Sequence, residues 1–180
     1  MAVQYFVGID PGTGRGTRAG GWAVVSDDGT TRSLIAAGDV PVTLDKTLDS
    51  RALVRSVLMT CGPSNTRVGI EAQSVRPGDK IRSVHAERLL NQQAGALLAA
   101  FEVLHYDAAY IPQHIWKRNS GLGQPKRRLK LSVYRKMLLQ RVHQLYRVRS
   151  HVTLLGPRGG ILDGRCTAAV IAIPENWRDI

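Results

Sequence analysis

The most informative absence in this 180-residue sequence is that of acidic side chains from one long stretch. No Asp or Glu occurs between Asp107 and Asp163, whereas 12 of the 25 Lys and Arg residues lie in those 55 positions. The rest of the chain has 13 basic and 14 acidic residues. The net charge of +11 therefore comes from one region, which favours an anionic partner, with nucleic acid first and an anionic membrane second.

Cysteine and long apolar runs are also scarce. Two cysteines, Cys61 and Cys166, are too few for a disulfide scaffold and lack metal-site spacing, so we expect two reduced thiols. No apolar run reaches the roughly 18 residues that cross a bilayer, and Met1 is followed almost at once by a strand-like run. These features predict one cytoplasmic domain over residues 1–180, without a membrane span or a leader peptide.

Hydrophobic patterning predicts three opening strands joined by hairpins, near residues 4–9, 22–25 and 33–37. The order helix, strand, helix, strand, helix, helix follows, near residues 50–59, 66–70, 83–104, 106–111, 126–146 and 162–173. This order predicts an α/β fold with a mixed sheet, antiparallel in its hairpin strands and then parallel, flanked by helices.

Three acids stand at matched ends of these elements. Asp10 ends the first strand, Glu71 ends the fourth, and Asp163 begins the last helix. If the two strands are neighbours, the carboxylates repel one another and divalent cations relieve that repulsion. Oxygen ligands suit Mg²⁺, with Mn²⁺ as a substitute, and two such ions about 4 Å apart would support phosphodiester hydrolysis. We therefore predict Asp10, Glu71 and Asp163 as catalytic and metal-binding residues.

Four segments together resemble a known family. They are VGIDPG with GWAVV, then VGIEAQ, IPQHIWK, and a terminal helix that begins DGR. The chain is similar to the RuvC family of Holliday-junction resolvases, and most to its divergent phage-type members. The resemblance implies an RNase H-like fold, a homodimer, and Mg²⁺-dependent paired nicks at a four-way DNA junction. It also implies the cytoplasm of a bacterial or phage-infected cell, with an organelle not excluded.

Two departures from that family leave an alternative open. Thr167 stands where the family has a fourth acid, and the loop after Asp10 is longer than the family's turn. Either Asp163 acts with a water in the vacant place, or the protein binds junctions and cuts them weakly. An RNase H-like nuclease for other branched or hybrid substrates is a third possibility.

The acid-free stretch supplies the predicted DNA contacts, with Lys117 as the first candidate beside the scissile phosphate. Phosphate contacts of this kind position a duplex without reading its sequence. Trp116, next to it, is interpreted as a core anchor rather than a base-stacking wedge. The predicted DNA-binding residues are Lys117, Arg118, Lys126, Arg127, Arg128, Lys130 and Arg15.

Two further predictions concern nucleotides and self-association. The glycine-rich loop after Asp10 superficially matches G-x-G-x-x-G/A, but Asp10 would repel a pyrophosphate and a strand follows, so no nucleotide cofactor is expected. The helix at 83–104 has apolar residues on more than one face, typical of a core helix or a dimer interface. Following the resemblance, we predict Leu90, Leu97 and Phe101 at the interface of a homodimer.

Overall fold

The computed structural model describes residues 2–12, 19–45, 47–72, 84–123 and 129–178, without the side chains of residues 19 and 84–90. Within these ranges one six-stranded mixed sheet forms the centre of the fold. Its strands in chain order are β1 Gln4–Gly12, β2 Ala19–Asp27, β3 Arg32–Asp39, β4 Thr66–Ala72, β5 Asp107–Pro112 and β6 Arg147–Val148.

The spatial order of the strands is β5-β4-β1-β2-β3-β6. β1, β2 and β3 pair antiparallel, whereas β4 runs parallel to β1, β5 parallel to β4, and β6 parallel to β3. The predicted sheet, antiparallel in its hairpin strands and then parallel, is confirmed. β1 and β4 are neighbours, as the argument from the acids requires.

Helices cover both faces of the sheet. In the described ranges they are α1 Ser50–Leu58, α2 Val84–Val103, α3 Gln113–Asn119, α4 Leu131–Leu145 and α5 Asp163–Ile171, with short 3-10 helices at Pro63–Asn65 and Pro174–Trp177. Helix α3 and strand β6 were not predicted, because seven and two residues are too few to show a periodic pattern. Lys130 has an extended backbone, so α4 begins later than the predicted residue 126.

Two apolar cores lie on opposite faces of the sheet. Val7 and Ile9 of β1 join the core under α1 and α2, whereas Phe6 joins the core under α3, α4 and α5. This alternation follows from the two-residue period of a strand. No helix within the described ranges is long and apolar enough to cross a bilayer.

Helix α5 packs directly on β1 and β2 because two glycines leave room for its backbone. A Cβ placed on Gly8 would meet the Ala168 carbonyl oxygen at 1.9 Å, and one on Gly21 would meet the Gly164 carbonyl carbon at 2.2 Å. Both distances are far below a van der Waals contact. The two glycines therefore set how closely α5 approaches the sheet.

Candidate active site

The strands place Asp10 and Glu71 side by side on one face of the sheet. Ile9 of β1 pairs with Ile70 of β4 in parallel register, so the next residues along, Asp10 and Glu71, are also neighbours. Ile9 and Ile70 both face the core under α1 and α2, and by alternation the two acids face the opposite side, toward α5. The predicted proximity of the two acids is thus observed.

The environment of Asp10 favours its protonated form. Burial, and then the charge of Glu71, raise the pKa of the Asp10 carboxyl from 3.8 to about 8. The Gly12 backbone N–H donates to Asp10 Oδ1 at 2.9 Å and partly opposes this shift. Gly12 has φ 69°, a backbone conformation that glycine adopts without strain. The two carboxyls also share a hydrogen bond, which further raises the pKa of Asp10 and acts to lower the pKa of Glu71.

Glu71 is buried, and three groups from α3 oppose the effect of that burial. Burial raises the pKa of the Glu71 carboxyl, whereas the side chains of Gln113 and Trp116 and the charge of Lys117 act to lower it. Gln113 Nε2 donates to Glu71 Oε1 at 3.3 Å. Helix α3 follows β5 directly, and β5 pairs with β4, which places α3 beside Glu71.

Helix α5 places Asp163 on the same side of the sheet as Asp10 and Glu71. Gly21, on which the first turn of α5 rests, pairs with Asp10 across β1 and β2. The charge of Asp163 accordingly contributes to the raised pKa of Asp10. Its carboxylate is already engaged: Arg135 of α4 donates from Nε at 3.0 Å and from Nη2 at 2.9 Å, both to Asp163 Oδ2.

Tyr134 adds a neutral hydroxyl close to the acids. Burial, and then the charges of Glu71, Asp10 and Asp163, raise the pKa of the Tyr134 phenol to about 12. The hydroxyl therefore stays protonated at neutral pH and is able to donate a hydrogen bond. It is an uncharged donor next to a group of carboxylates.

These residues fit one divalent ion better than a complete three-acid site. Asp10 and Glu71 offer adjacent carboxylate oxygens whose mutual repulsion raises the pKa of Asp10, and a divalent cation can relieve that repulsion. Across the described ranges, no group of three His, Cys, Asp or Glu side chains is gathered closely enough to hold a metal ion. Asp163 is close enough to influence Asp10 but faces Arg135.

Three residues of this site were missed by sequence reasoning as site residues: Gln113, Tyr134 and Arg135. Tyr134 and Arg135 lie in a helix that the sequence predicts, and Arg135 is one of the twelve basic residues of the acid-free stretch, but neither pattern marks them as site residues. Their positions depend on the packing of α3 and α4 on the sheet, which local patterns do not reveal. The segment IPQHIWK was the one sequence feature that could have indicated Gln113 as a site residue, because it contains Gln113 at the end of a predicted strand.

The predicted DNA contacts are only partly described. Lys117 and Arg118 lie in the last turn of α3, and Lys130 is exposed at the start of α4. Lys117 Nζ lies 5.3 Å from the centre of the Trp116 ring, and Trp116 is 1% exposed. The interpretation of Trp116 as a core anchor is therefore confirmed. The remaining predicted contacts lie outside the described residues: Arg15, Lys126, Arg127 and Arg128.

Two of the residues predicted at a dimer interface lie instead in the core of the chain itself. Leu97 and Phe101 are fully buried under the sheet with α1, so neither offers surface to a second copy here. The side chain of Leu90 lies outside the described residues. The outer surface of α2 forms, with α1, an apolar groove of about 610 Å³. It is lined by Ser50, Arg51, Val54, Arg55, Leu58, Ala96, Ala99, Ala100, Val103 and Leu104.

Thr167 occupies the second turn of α5. It is half-buried between Cys166 and Ala168, both fully buried. Its hydroxyl is a poor substitute for a carboxylate ligand, since it carries no charge.

The fold is that of an RNase H-like α/β domain, with paired acids at the carboxyl ends of its central parallel strands. No family model and no curated protein matches the chain in sequence. Among solved structures, it is similar to Thermus thermophilus RuvC in complex with a Holliday junction substrate, at 17% identity and a TM-score of 0.64, over 94% of this chain and 90% of that one. A second structure of Thermus thermophilus RuvC matches at 16% identity and a TM-score of 0.57, over 93% of this chain and 92% of that one. The resemblance to RuvC is thus confirmed at the level of the fold.

Proposed function

We propose that this chain is a metal-dependent DNA endonuclease that binds four-way junctions and resolves them by paired symmetric nicks. The observation that carries the proposal is the pair formed by Asp10 and Glu71, on adjacent parallel strands of a fold similar to RuvC. A structural role gives little reason to bury two carboxyls together, because doing so raises the pKa of Asp10 to about 8. Buried, mutually perturbed acids are typical of functional sites.

The proposed cofactor is Mg²⁺, replaceable by Mn²⁺, with Asp10 and Glu71 as the first ligands and Asp163 as the third. Two bound ions would supply an activated water and neutralise charge on the leaving oxygen. Gln113 would hold Glu71 in position through its amide, and Tyr134 would donate from its neutral hydroxyl. Lys117 would add positive charge beside Glu71, where a phosphate would approach.

The proposed DNA surface comprises α3, the start of α4 and the chain between them. Lys117, Arg118 and Lys130 frame this surface in the described ranges, and all three belong to the stretch of sequence that contains no Asp or Glu. Neutralising DNA phosphates there releases counterions, so binding would weaken steeply as salt rises. Arg15, Lys126, Arg127 and Arg128 remain proposed contacts on the same grounds of charge.

We also propose a homodimer, since symmetric nicks at a four-way junction require two active sites related by a two-fold axis. The groove between α1 and α2 is the proposed contact, because Val103 is 76% exposed and Met59, just after α1, is 85% exposed. Ala99→Asp, placed in the groove, is expected to yield a monomer by light scattering. Leu44→Asp, at an exposed position outside the groove, is the matched control and should leave the dimer intact.

The direct test is cleavage of a synthetic four-way junction with Mg²⁺ or Mn²⁺. Wild type should cut two opposed strands, Asp10→Asn should bind the junction without cutting, and Asp45→Asn, an exposed acid, should cut normally. Forked DNA and an RNA–DNA hybrid run in parallel would detect a nuclease with another substrate. Absence of incision on every substrate would refute the enzymatic proposal.

Junction binding without efficient cutting is the second candidate, and the ion pair between Arg135 and Asp163 is the observation that favours it. With Asp163 engaged and Thr167 uncharged, the site has fewer free carboxylates for ions. This candidate predicts tight, salt-sensitive binding and little cleavage. Thr167→Asp should then increase the cleavage rate, whereas an unchanged rate would show that the missing acid is not the reason.

A further inference from the structure

The side chain of Arg135 occupies one of the two carboxylate oxygens of Asp163. Its Nε and Nη2 both donate to Asp163 Oδ2, at 3.0 and 2.9 Å. A guanidinium so placed neutralises the carboxylate and repels a divalent cation. The same Asp163 still acts electrostatically on Asp10, so the three acids are close, yet only two face each other.

We propose that Arg135 is a positioning residue that controls access of a second divalent ion to Asp163. Without DNA, the chain binds one ion at Asp10 and Glu71. A second ion binds once a DNA phosphate has drawn Arg135 away from Asp163. This inference rests on the proposed function, and it adds to it an order of events: DNA first, second ion afterwards.

The exposure of the pair makes such an exchange feasible. The side chains of Arg135 and Asp163 are 34% and 36% exposed, so a phosphate can reach the guanidinium without unfolding α4. Partly exposed ion pairs of this kind contribute little to stability and are readily broken. Phosphate is a strong competitor, since arginine binds it through two parallel charge-assisted hydrogen bonds. Lys130, exposed at the start of the same helix, adds to the local positive charge.

Metal binding in the absence of DNA provides the test, because it needs no activity. Mn²⁺ is titrated into the full chain by calorimetry, with free Mn²⁺ followed by electron paramagnetic resonance. Wild type should bind one ion tightly and a second weakly. Arg135→Gln should bind the second ion about three- to fivefold more tightly, in line with the upper part of the range for a surface ion pair. Lys136→Gln, an exposed neighbour with the same loss of charge, should change this affinity by less than about twofold.

The outcomes separate this inference from the function on which it rests. Equal binding of two ions by wild type, or an unchanged second affinity in Arg135→Gln, would overturn the role of Arg135 and leave the metal site intact. Absence of any Mn²⁺ binding would overturn both.

A measurement on wild type guards against a variant that folds poorly. The Nε–H NMR signal of Arg135, identified by its loss in Arg135→Lys, should shift when junction DNA is added without metal. A signal unaffected by saturating junction would contradict the exchange.

Discussion

Replacing Asp10 by Asn is expected to stabilise the metal-free protein at neutral pH, although it removes a residue of the candidate site. The pKa of the Asp10 carboxyl is about 8 in the folded chain against an ordinary value of 3.8. Between these two pH values the unfolded chain has lost this proton while the folded chain keeps it. The free energy of unfolding therefore falls as pH rises from about 4 to about 8, and levels off above that range.

The magnitude follows from the width of that window. At pH 7 the medium is roughly three pH units above the ordinary pKa of an Asp carboxyl, and each unit corresponds to about 1.4 kcal/mol. The raised pKa of Asp10 therefore lowers the free energy of unfolding at pH 7 by at most about 4 kcal/mol, and this is the largest gain that Asn can give. At pH 5 the same reasoning gives a smaller upper limit, of roughly 1–2 kcal/mol. Asn retains an oxygen that can accept from the Gly12 N–H and gains an NH₂ that can donate to Glu71. Most of the gain should therefore be realised.

Urea unfolding followed by tryptophan fluorescence, in EDTA at pH 5 and pH 7, measures the effect. The free energy of unfolding of Asp10→Asn should exceed that of wild type at both pH values, and by more at pH 7. That of Asp45→Asn should equal that of wild type at each pH, because Asp45 is exposed. Adding Mg²⁺ should stabilise wild type and leave Asp10→Asn almost unchanged, since the ion binds the folded state only. A variant that is less stable than wild type at pH 7, or a difference independent of pH, would refute the reasoning.

Three other substitutions test the packing around α5 and the proposed contact of Lys117 with DNA. Gly21→Ala should lower the free energy of unfolding by about 3 kcal/mol or more in a urea titration, because its Cβ would meet the backbone of Gly164. Gly160→Ala is the control and should change this free energy little, because the space around Gly160 is open. Asn176→Ala should cost about 1–3 kcal/mol, since this buried amide donates to two carbonyls of α5 at 3.1 and 2.8 Å; a smaller loss would show that water replaces it. Lys117→Ala should reduce the salt dependence of junction binding by about one phosphate contact, measured by fluorescence anisotropy, and an unchanged slope would exclude the contact.

The sequence predicted that Asp10 and Glu71 would meet if their strands were neighbours, and β1 and β4 do pair. Each acid ends a short apolar run, and short buried strands at the centre of a mixed sheet bring their carboxyl ends together. The hairpins at the start of the chain could also be predicted from local sequence, because turn residues such as Gly29, with φ 86°, show where a strand reverses. The strand ends and the hairpins could be predicted because the information that determines them lies within about ten residues of each.

The partners of the acids could not be predicted in the same way. Arg135 and Asp163 are 28 residues apart, and Gln113 and Glu71 are 42 residues apart. Their contacts depend on the angle at which α3 and α4 pack against the sheet. Periodicity likewise marked Leu97 and Phe101 as apolar without indicating whether the sheet or a second copy would cover them, and the sheet does.

The charge balance of the site links ion binding to DNA binding. The raised pKa of Asp10 favours its neutral form near pH 7, Asp163 is paired with Arg135, and Lys117 lies close enough to act on Glu71. The resting site is thus nearly neutral, and Thr167 adds no charge. Because one unit charge at 4 Å is worth about 4 kcal/mol at an effective dielectric constant near 20, a nearly neutral site attracts divalent ions far less than three free carboxylates would. A DNA phosphate that binds Arg135 or Lys117 restores the missing negative charge, so ions and DNA should each increase the affinity for the other.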